Sequence, residues 1–250
     1  MPATTGIYRS DRIFESVGFL RIILLLAASL LIAGGCTTTQ DFSTISALES
    51  QDEGIEIVLM PLDVELSVLT MGGILEPRAD WTRDAKQHIL TALETEQQVR
   101  GSRMLHYEEP GSDDPLAERL VELERLHGAV GLAIQKHQYE GMKLPTKNGA
   151  LDWTLGPEVA TLAQTYNADY ALFIRVRNSY SSAGRVLARL AAAALGVYMQ
   201  GGEQQGFASL VDLRSGDIVW FNRLISIVGD LRTEEPAAKT VSLLLEGLPQ

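Results

Sequence analysis

Tyr170-Ala171-Leu172-Phe173-Ile174-Arg175-Val176-Arg177, followed by Leu210-Val211-Asp212-Leu213-Arg214-Ser215-Gly216-Asp217-Ile218-Val219-Trp220, decides the fold of this chain. Side chains alternate across a strand. In the first stretch Leu172, Ile174 and Val176 therefore share one face while Phe173, Arg175 and Arg177 share the other, which predicts a half-buried strand. In the second stretch two apolar runs flank Arg214-Ser215-Gly216-Asp217. A glycine at the third loop position suits a type I turn closed by a G1 bulge, so a hairpin is predicted here.

The segments around this pair alternate between strand and helix signals. Just upstream, Pro157 opens a helix carrying Val159, Leu162, Ala163 and Tyr166, and Asn167 is a natural left-handed stop. Further back, Ile55-Glu56-Ile57-Val58-Leu59-Met60-Pro61 reads as a buried strand ended by proline. Trp81, Ala85, His88, Ile89, Ala92 and Leu93 recur at helical spacing behind Asp80. Residues 102–107 make a second strand. Leu116, Leu120, Leu123 and Leu126, with Val121 and Val130, form another helical stripe after Pro115, with His127 at its end. Downstream, Glu234-Glu235-Pro236 precedes a last helix with Ala237, Val241, Leu244, Leu245 and Leu248, acids standing where the helix dipole favours them. Residues 62–77 carry mixed signals around Met71-Gly72-Gly73 and read as a loop or an irregular hairpin. The order implies an α/β (α+β) fold, with a mixed β-sheet of about five strands packed by three or four helices.

The amino-terminal part differs in kind. Arg9, Arg12 and Arg21 precede an apolar run over residues 22–32, and Ile32-Ala33-Gly34-Gly35 leads to Cys36, the one cysteine of the chain. This is the three-part layout of a secretory signal peptide. A run of eleven residues, apolar but for Ser29, falls short of the roughly 20 that cross a bilayer as a helix. A signal over 1–35, a polar tether over 36–53 rich in Thr, Ser, Gln and Asp, and one domain over 54–250 are expected. Taking residues 1–35 from the chain removes three of 21 basic and two of 32 acidic residues, leaving 18 and 30 and a formal charge of −12. Such a surface is a poor nucleic-acid binder, because that binding needs cations at phosphates. With no second cysteine there is no intramolecular disulfide, and stability must come from packing.

Two resemblances follow from these residues. Ile32-Ala33-Gly34-Gly35-Cys36 resembles a bacterial lipoprotein signal, with Ala33 standing where leucine is commonest. That resemblance implies cleavage before Cys36, diacylation of its thiol with palmitate-like chains, and, from Thr37 in place of aspartate, sorting to the outer membrane facing the periplasm. Asn167-Ala168-Asp169-Tyr170-Ala171-Leu172-Phe173, the "DLRSGDIVW" stretch and Val58-Leu59-Met60-Pro61 resemble a pattern found in three groups. These are the curli secretion channel lipoproteins, the lipoprotein activators of penicillin-binding proteins, and the amino-terminal domain of the Tol system's propeller protein. This second resemblance covers residues 55–61 and 157–248 and implies an architecture more than an activity.

Signals for chemistry are sparse. His88, His106, His127 and His137 are scattered, and none forms the i, i+4 pair of a helical metal site. Ser179, Ser181 and Ser182 read as a polar turn after a strand. The alanine-rich insertion at 186–200, with Ala191-Ala192-Ala193-Ala194 and Arg189, favours a helix that is buried on its own sheet, self-associates or meets a membrane interface. Arg175, Arg177 and Arg185 near Tyr180 are a candidate partner-binding face on an otherwise acidic protein. These features predict a non-enzymatic outer-membrane lipoprotein anchored through Cys36. It would act as accessory or assembly factor of a cell-envelope complex, with an envelope protein as partner, a homo-oligomer as an option, and no cofactor, metal or nucleic acid. The rivals are an oligomeric secretion pore subunit and a periplasmic hydrolase using the serine-rich turn.

Overall fold

A computed structural model describes residues 37–49, 54–100, 103–107, 110–111 and 113–250. The expected signal over 1–35, Cys36 itself and residues 50–53 of the tether lie outside the described residues. The chain runs β1 (Thr37–Ser43), β2 (Glu56–Leu59), β3 (Asp63–Leu69), β4 (Leu75–Pro77), α1 (Ala79–Arg100), β5 (Arg103–His106), α2 (Pro115–Ile134), α3 (Ala160–Tyr166), β6 (Tyr170–Ser181), α4 (Ala183–Ala194), β7 (Gln204–Asp212), β8 (Ile218–Ser226) and α5 (Glu234–Leu244). The α/β class is as the sequence implies, and the eight-stranded mixed sheet is larger than the five strands expected.

β6 is the axis of the sheet. One edge pairs antiparallel with β7 from Tyr170↔Asp212 to Asn178↔Gln204. The other edge is shared end to end by two parallel strands, β2 at Ile57↔Tyr170 to Leu59↔Leu172 and β3 at Asp63↔Arg175 to Leu69↔Ser181. The parallel side needs helical crossovers and has them in α1 and in α2–α3, while the antiparallel side closes through hairpin-like neighbours. The β7–β8 hairpin forms where predicted, with Gly216 at φ 82°, but its loop is one residue longer than the predicted type I turn: Asp212 C=O accepts from Gly216 N–H and Asp212 N–H donates to Asp217 C=O, enclosing residues 213–216.

Alternation along β6 feeds two cores. Tyr170, Leu172, Ile174 and Val176 point to the face covered by α1 (Ala85, Ile89, Leu93) and α5 (Ala237, Val241, Leu244). Ala171 and Phe173, with Phe207 and Phe221, point to the face covered by α2 (Leu120, Leu123, Ile134) and by Val159 and Leu162. Helices on both faces explain why the strand is almost wholly apolar in its first half. The local signals hold where they are chemical. Asp114 caps α2 by accepting from Leu116 N–H at 2.9 Å, and Asn167 ends α3 at φ 49°.

Two segments differ from the sequence reading. Residues 37–43, expected to belong to a flexible tether, form β1 and pair antiparallel with β8 from Thr37↔Ser226 to Ser43↔Trp220. An edge strand with one covered side needs few apolar residues. Phe42 on the Tyr139 ring, 5.2 Å between centroids, supplies most of its packing. Residues 62–77 contain β3 and β4, a hairpin around the Met71-Gly72-Gly73 turn, so the irregular hairpin was the correct half of that expectation.

Gly131 in α2 sets how closely that helix approaches the sheet, since a Cβ there would lie 2.2 Å from the Phe207 ring. Helix propensity alone would make Gly131→Ala stabilising by about 1 kcal/mol. Overpacking against a buried aromatic costs about 1–3 kcal/mol. The expected outcome is a lower urea midpoint for Gly131→Ala, and a higher one would refute the close approach.

Candidate functional site

The strand registers bring five chain segments to one end of the sheet. Thr37 opposes Ser226, Gln204 opposes both Ser226 and Asn178, and Leu69 opposes Ser181. This end therefore collects the start of β1, the end of β8, the start of β7 and the ends of β6 and β3. The β3–β4 turn, α4 with its following loop, and the loop from β8 to α5 all emerge there.

A cleft of about 350 Å³ opens at this end, lined by Asn178, Tyr180, Arg189, Glu203, Ile227 and Arg232 among others. Tyr180 and Arg232 belong to a cluster of cations and rings that continues away from the cleft. The Arg232 guanidinium lies 3.9 Å from the Tyr180 ring centroid and 5.0 Å from that of Trp81, and the Arg78 guanidinium lies 4.4 Å from that of Trp81. Trp81 and Tyr180 meet edge to face at 5.5 Å. Each arginine is held in place by a neighbouring carboxylate, Asp80 at 2.7 Å from Arg78 and Asp230 at 2.8 Å from Arg232. Hydrogen bonding to Arg232 holds the Asp230 carboxyl below the usual carboxylate range. The Tyr180 hydroxyl accepts from Leu231 N–H and from the Asn178 amide, both at 2.9 Å, and burial pushes its phenol well above the ordinary value. The cluster closes the α1/α5 core.

The four residues expected to form a partner-binding face are separated. Arg175 and Arg177 both turn to Asp63 on β3, Arg177 at 2.6 Å, and Arg175 pairs with the other carboxylate oxygen. Tyr180 lies on the opposite face of the sheet, in the cluster just described. Arg185 is buried in α4, where it donates to Met71 C=O at 3.2 Å and to Gln200 C=O at 2.9 and 3.1 Å, tying the β3–β4 turn to the loop after α4. The alanine-rich insertion is the helix the composition favours, capped by the Ser182 hydroxyl accepting from Arg185 N–H. Most of it stands away from the sheet, with Leu187 and Leu190 two-thirds exposed.

The histidines and the serine turn do not meet. His127 is buried in α2 and stacks on Phe173 at 4.4 Å, with its Nε2 2.6 Å from Ser209 Oγ. His88 Nδ1 lies 3.1 Å from Leu231 C=O, and His137 Nδ1 lies 2.6 Å from Met142 C=O. His106 is exposed at the end of β5. Ser179 and Ser181, expected in a turn, lie on β6, whose pairing with β3 runs on to Ser181, and Ser182 caps α4; all three serve the backbone, Ser179 Oγ accepting from Glu203 N–H, Ser181 Oγ from Gly202 N–H and Ser182 Oγ from Arg185 N–H. Among the described residues no three His, Cys, Asp or Glu side chains are placed to hold a metal ion.

Sequence reasoning did not find the cluster. Arg78 and Trp81 stand three apart and could have been paired as helix neighbours. Arg232 reaches them only through the fold.

No family model matches this chain, and no curated protein matches it. Among solved structures the chain is similar to a PelC dodecamer from Paraburkholderia phytofirmans, at 12% identity over 85% of this chain and 99% of that chain, with a TM-score of 0.38. A variant of that dodecamer aligns at 13% identity over 84% of this chain and 98% of that chain, with a TM-score of 0.34. A likeness of this size carries no argument about what the chain does.

Burial holds the His127 imidazole neutral down to a pKa of about 3, with Arg175 adding to the effect and Asp63 opposing it. The unfolded chain takes up this proton near the ordinary value of about 6.5. Between those values the unfolded state binds more protons, so stability falls as pH falls from about 6.5 toward 3. His127→Gln, which keeps a polar group for Ser209 and cannot be charged, is expected to flatten that part of the pH–stability curve. An unchanged slope by urea denaturation at pH 4 and 7 would assign the dependence to other groups.

Proposed function

We propose that this chain is a periplasm-facing outer-membrane lipoprotein, anchored through Cys36, that serves as a non-enzymatic accessory or assembly factor of a cell-envelope complex. One observation carries the reading: Thr37 already belongs to β1 and pairs with Ser226. An acylated residue 36 would therefore hold the domain at the membrane by a strand of its own sheet. Each buried acyl methylene contributes about 0.8 kcal/mol, so two or more chains give stable anchoring.

The accessory role draws support from where the reactive side chains are used. His127 is sealed between Phe173 and Phe207, and Arg175 and Arg177 are paired across the sheet. The rival pore reading asks residues 186–200 to enter a membrane, and as a helix they would not cross it. At 12 residues, α4 is about 18 Å long against a hydrocarbon core of about 30 Å.

The test is crosslinking in intact cells, followed by affinity purification of the wild-type chain and of Cys36→Ser. The wild type is expected to float with outer-membrane vesicles and to bring down one envelope protein at constant ratio. Cys36→Ser is expected to move into the soluble periplasmic fraction. Recovery of self-crosslinked rings and nothing else would overturn the accessory role in favour of the pore.

A further inference from the structure

Eleven of the fifteen exposed large hydrophobic side chains among the described residues come from the three segments that leave the sheet beside Thr37. They include Ile74 on the β3–β4 hairpin, 66% exposed, and Leu187 on α4, 67%. Leu195 and Tyr198 in the loop after α4 are 81% and 87% exposed, and Ile227 after β8 is 64%. Large apolar groups scattered singly over a surface need no explanation, whereas a group gathered at one end does.

Charge separates this end from the rest of the molecule. The chain carries 32 acidic residues, yet none falls in residues 66–75, 178–202 or 224–229. Carboxylates resume at Glu76, Glu203 and Asp230, one residue beyond each segment. The charged groups inside these limits are Arg185 and Arg189, whose guanidiniums donate to the carbonyls of Met71, Gln200 and Met199. A short helix with leucines on one side and arginine on the other, on a surface stripped of carboxylates, has the make-up of an element lying in a bilayer interface.

We propose that these three tips form a lipid-inserting rim: Met71 to Leu75, α4 with its following loop, and Ile227-Val228 enter the outer part of a phospholipid leaflet. The lipid surface is favoured over a second copy of the chain. Within the three tips the exposed large side chains are apolar and both arginines are spent on backbone carbonyls of the same chain, which leaves the tips no charge to pair across a two-fold contact. β1 starts at this end with Thr37, the residue that follows the expected acylation position in sequence. The proposal rests on the anchoring reading above and adds to it a defined orientation, with the β7–β8 turn pointing away. β6 has 12 residues, so that turn stands about 36 Å from the rim.

The test uses the full-length protein in phospholipid vesicles, with an environment-sensitive fluorophore on Leu187→Cys, Leu195→Cys or Ile227→Cys and on Ser215→Cys at the far turn as control. Spin-labelled lipids are expected to quench the first three probes at least twofold and to leave Ser215→Cys unchanged. Leu187→Glu combined with Leu195→Glu is expected to abolish quenching at position 227. If the protein floats with the vesicles while no probe is quenched, the rim is overturned and the anchor stands. Probes that shift to the blue without lipid quenching would mean burial against a second copy, which also overturns it. If mass analysis finds Cys36 unmodified, the chain is added to preformed vesicles. Quenching of the rim probes there supports the rim without the anchor, and its absence removes both.

Discussion

The structure depends on keeping β6 paired along both edges and covered on both faces. No disulfide is available to the described domain, whose one nearby cysteine precedes it, so the long strand does the joining. Among the described strands it alone pairs with both the parallel half of the sheet, β2 and β3, and the antiparallel half, β7 with β8 behind it. Its alternation splits the hydrophobic residues between the α1/α5 core and the α2/α3 core. A slip of one residue would exchange Tyr170, Leu172 and Ile174 for Phe173 and the two arginines on each face, and both cores would be lost together.

The Asp63 pairing shows how the same strand ends its apolar half. Beyond Ile174 the face toward α2 turns from apolar to charged. Arg175 and Arg177 occupy it, and β3 brings one carboxylate to both. The pair of arginines is one-quarter to one-third exposed, so the arrangement chiefly satisfies charge at the border of the core and adds modest stability.

What was legible in the sequence was what local chemistry dictates. The period of two over 170–177, the glycine of the β7–β8 turn, the Asn167 stop and the Pro115 helix start all reappear where the residues place them. β1 was not legible. Its Thr, Ser, Gln and Asp are typical of linkers, and its strand character is imposed by β8, which lies 189 residues away at the Thr37–Ser226 contact. That the four residues of the expected arginine face do not share one surface was illegible for a related reason. Sequence spacing put Arg175, Arg177, Tyr180 and Arg185 together, but alternation turns Tyr180 to the other side, and the partner of the first two arrives from Asp63, 112 residues earlier in the chain. The exposed helix α4 was legible in type, because alanine sets its propensity, and illegible in burial.

The position of β1 has a mechanical consequence. It begins at residue 37 and runs antiparallel to β8 for seven residues, away from the end where it starts. A pull on residue 36 along the strand axis loads every rung of that ladder at once, in shear, and cannot peel the rungs apart one by one. Seven paired residues sharing a load resist far more than a single rung at a frayed end. The first strand of this domain is therefore built as a strap, able to transmit tension from whatever holds residue 36 into the middle of the sheet.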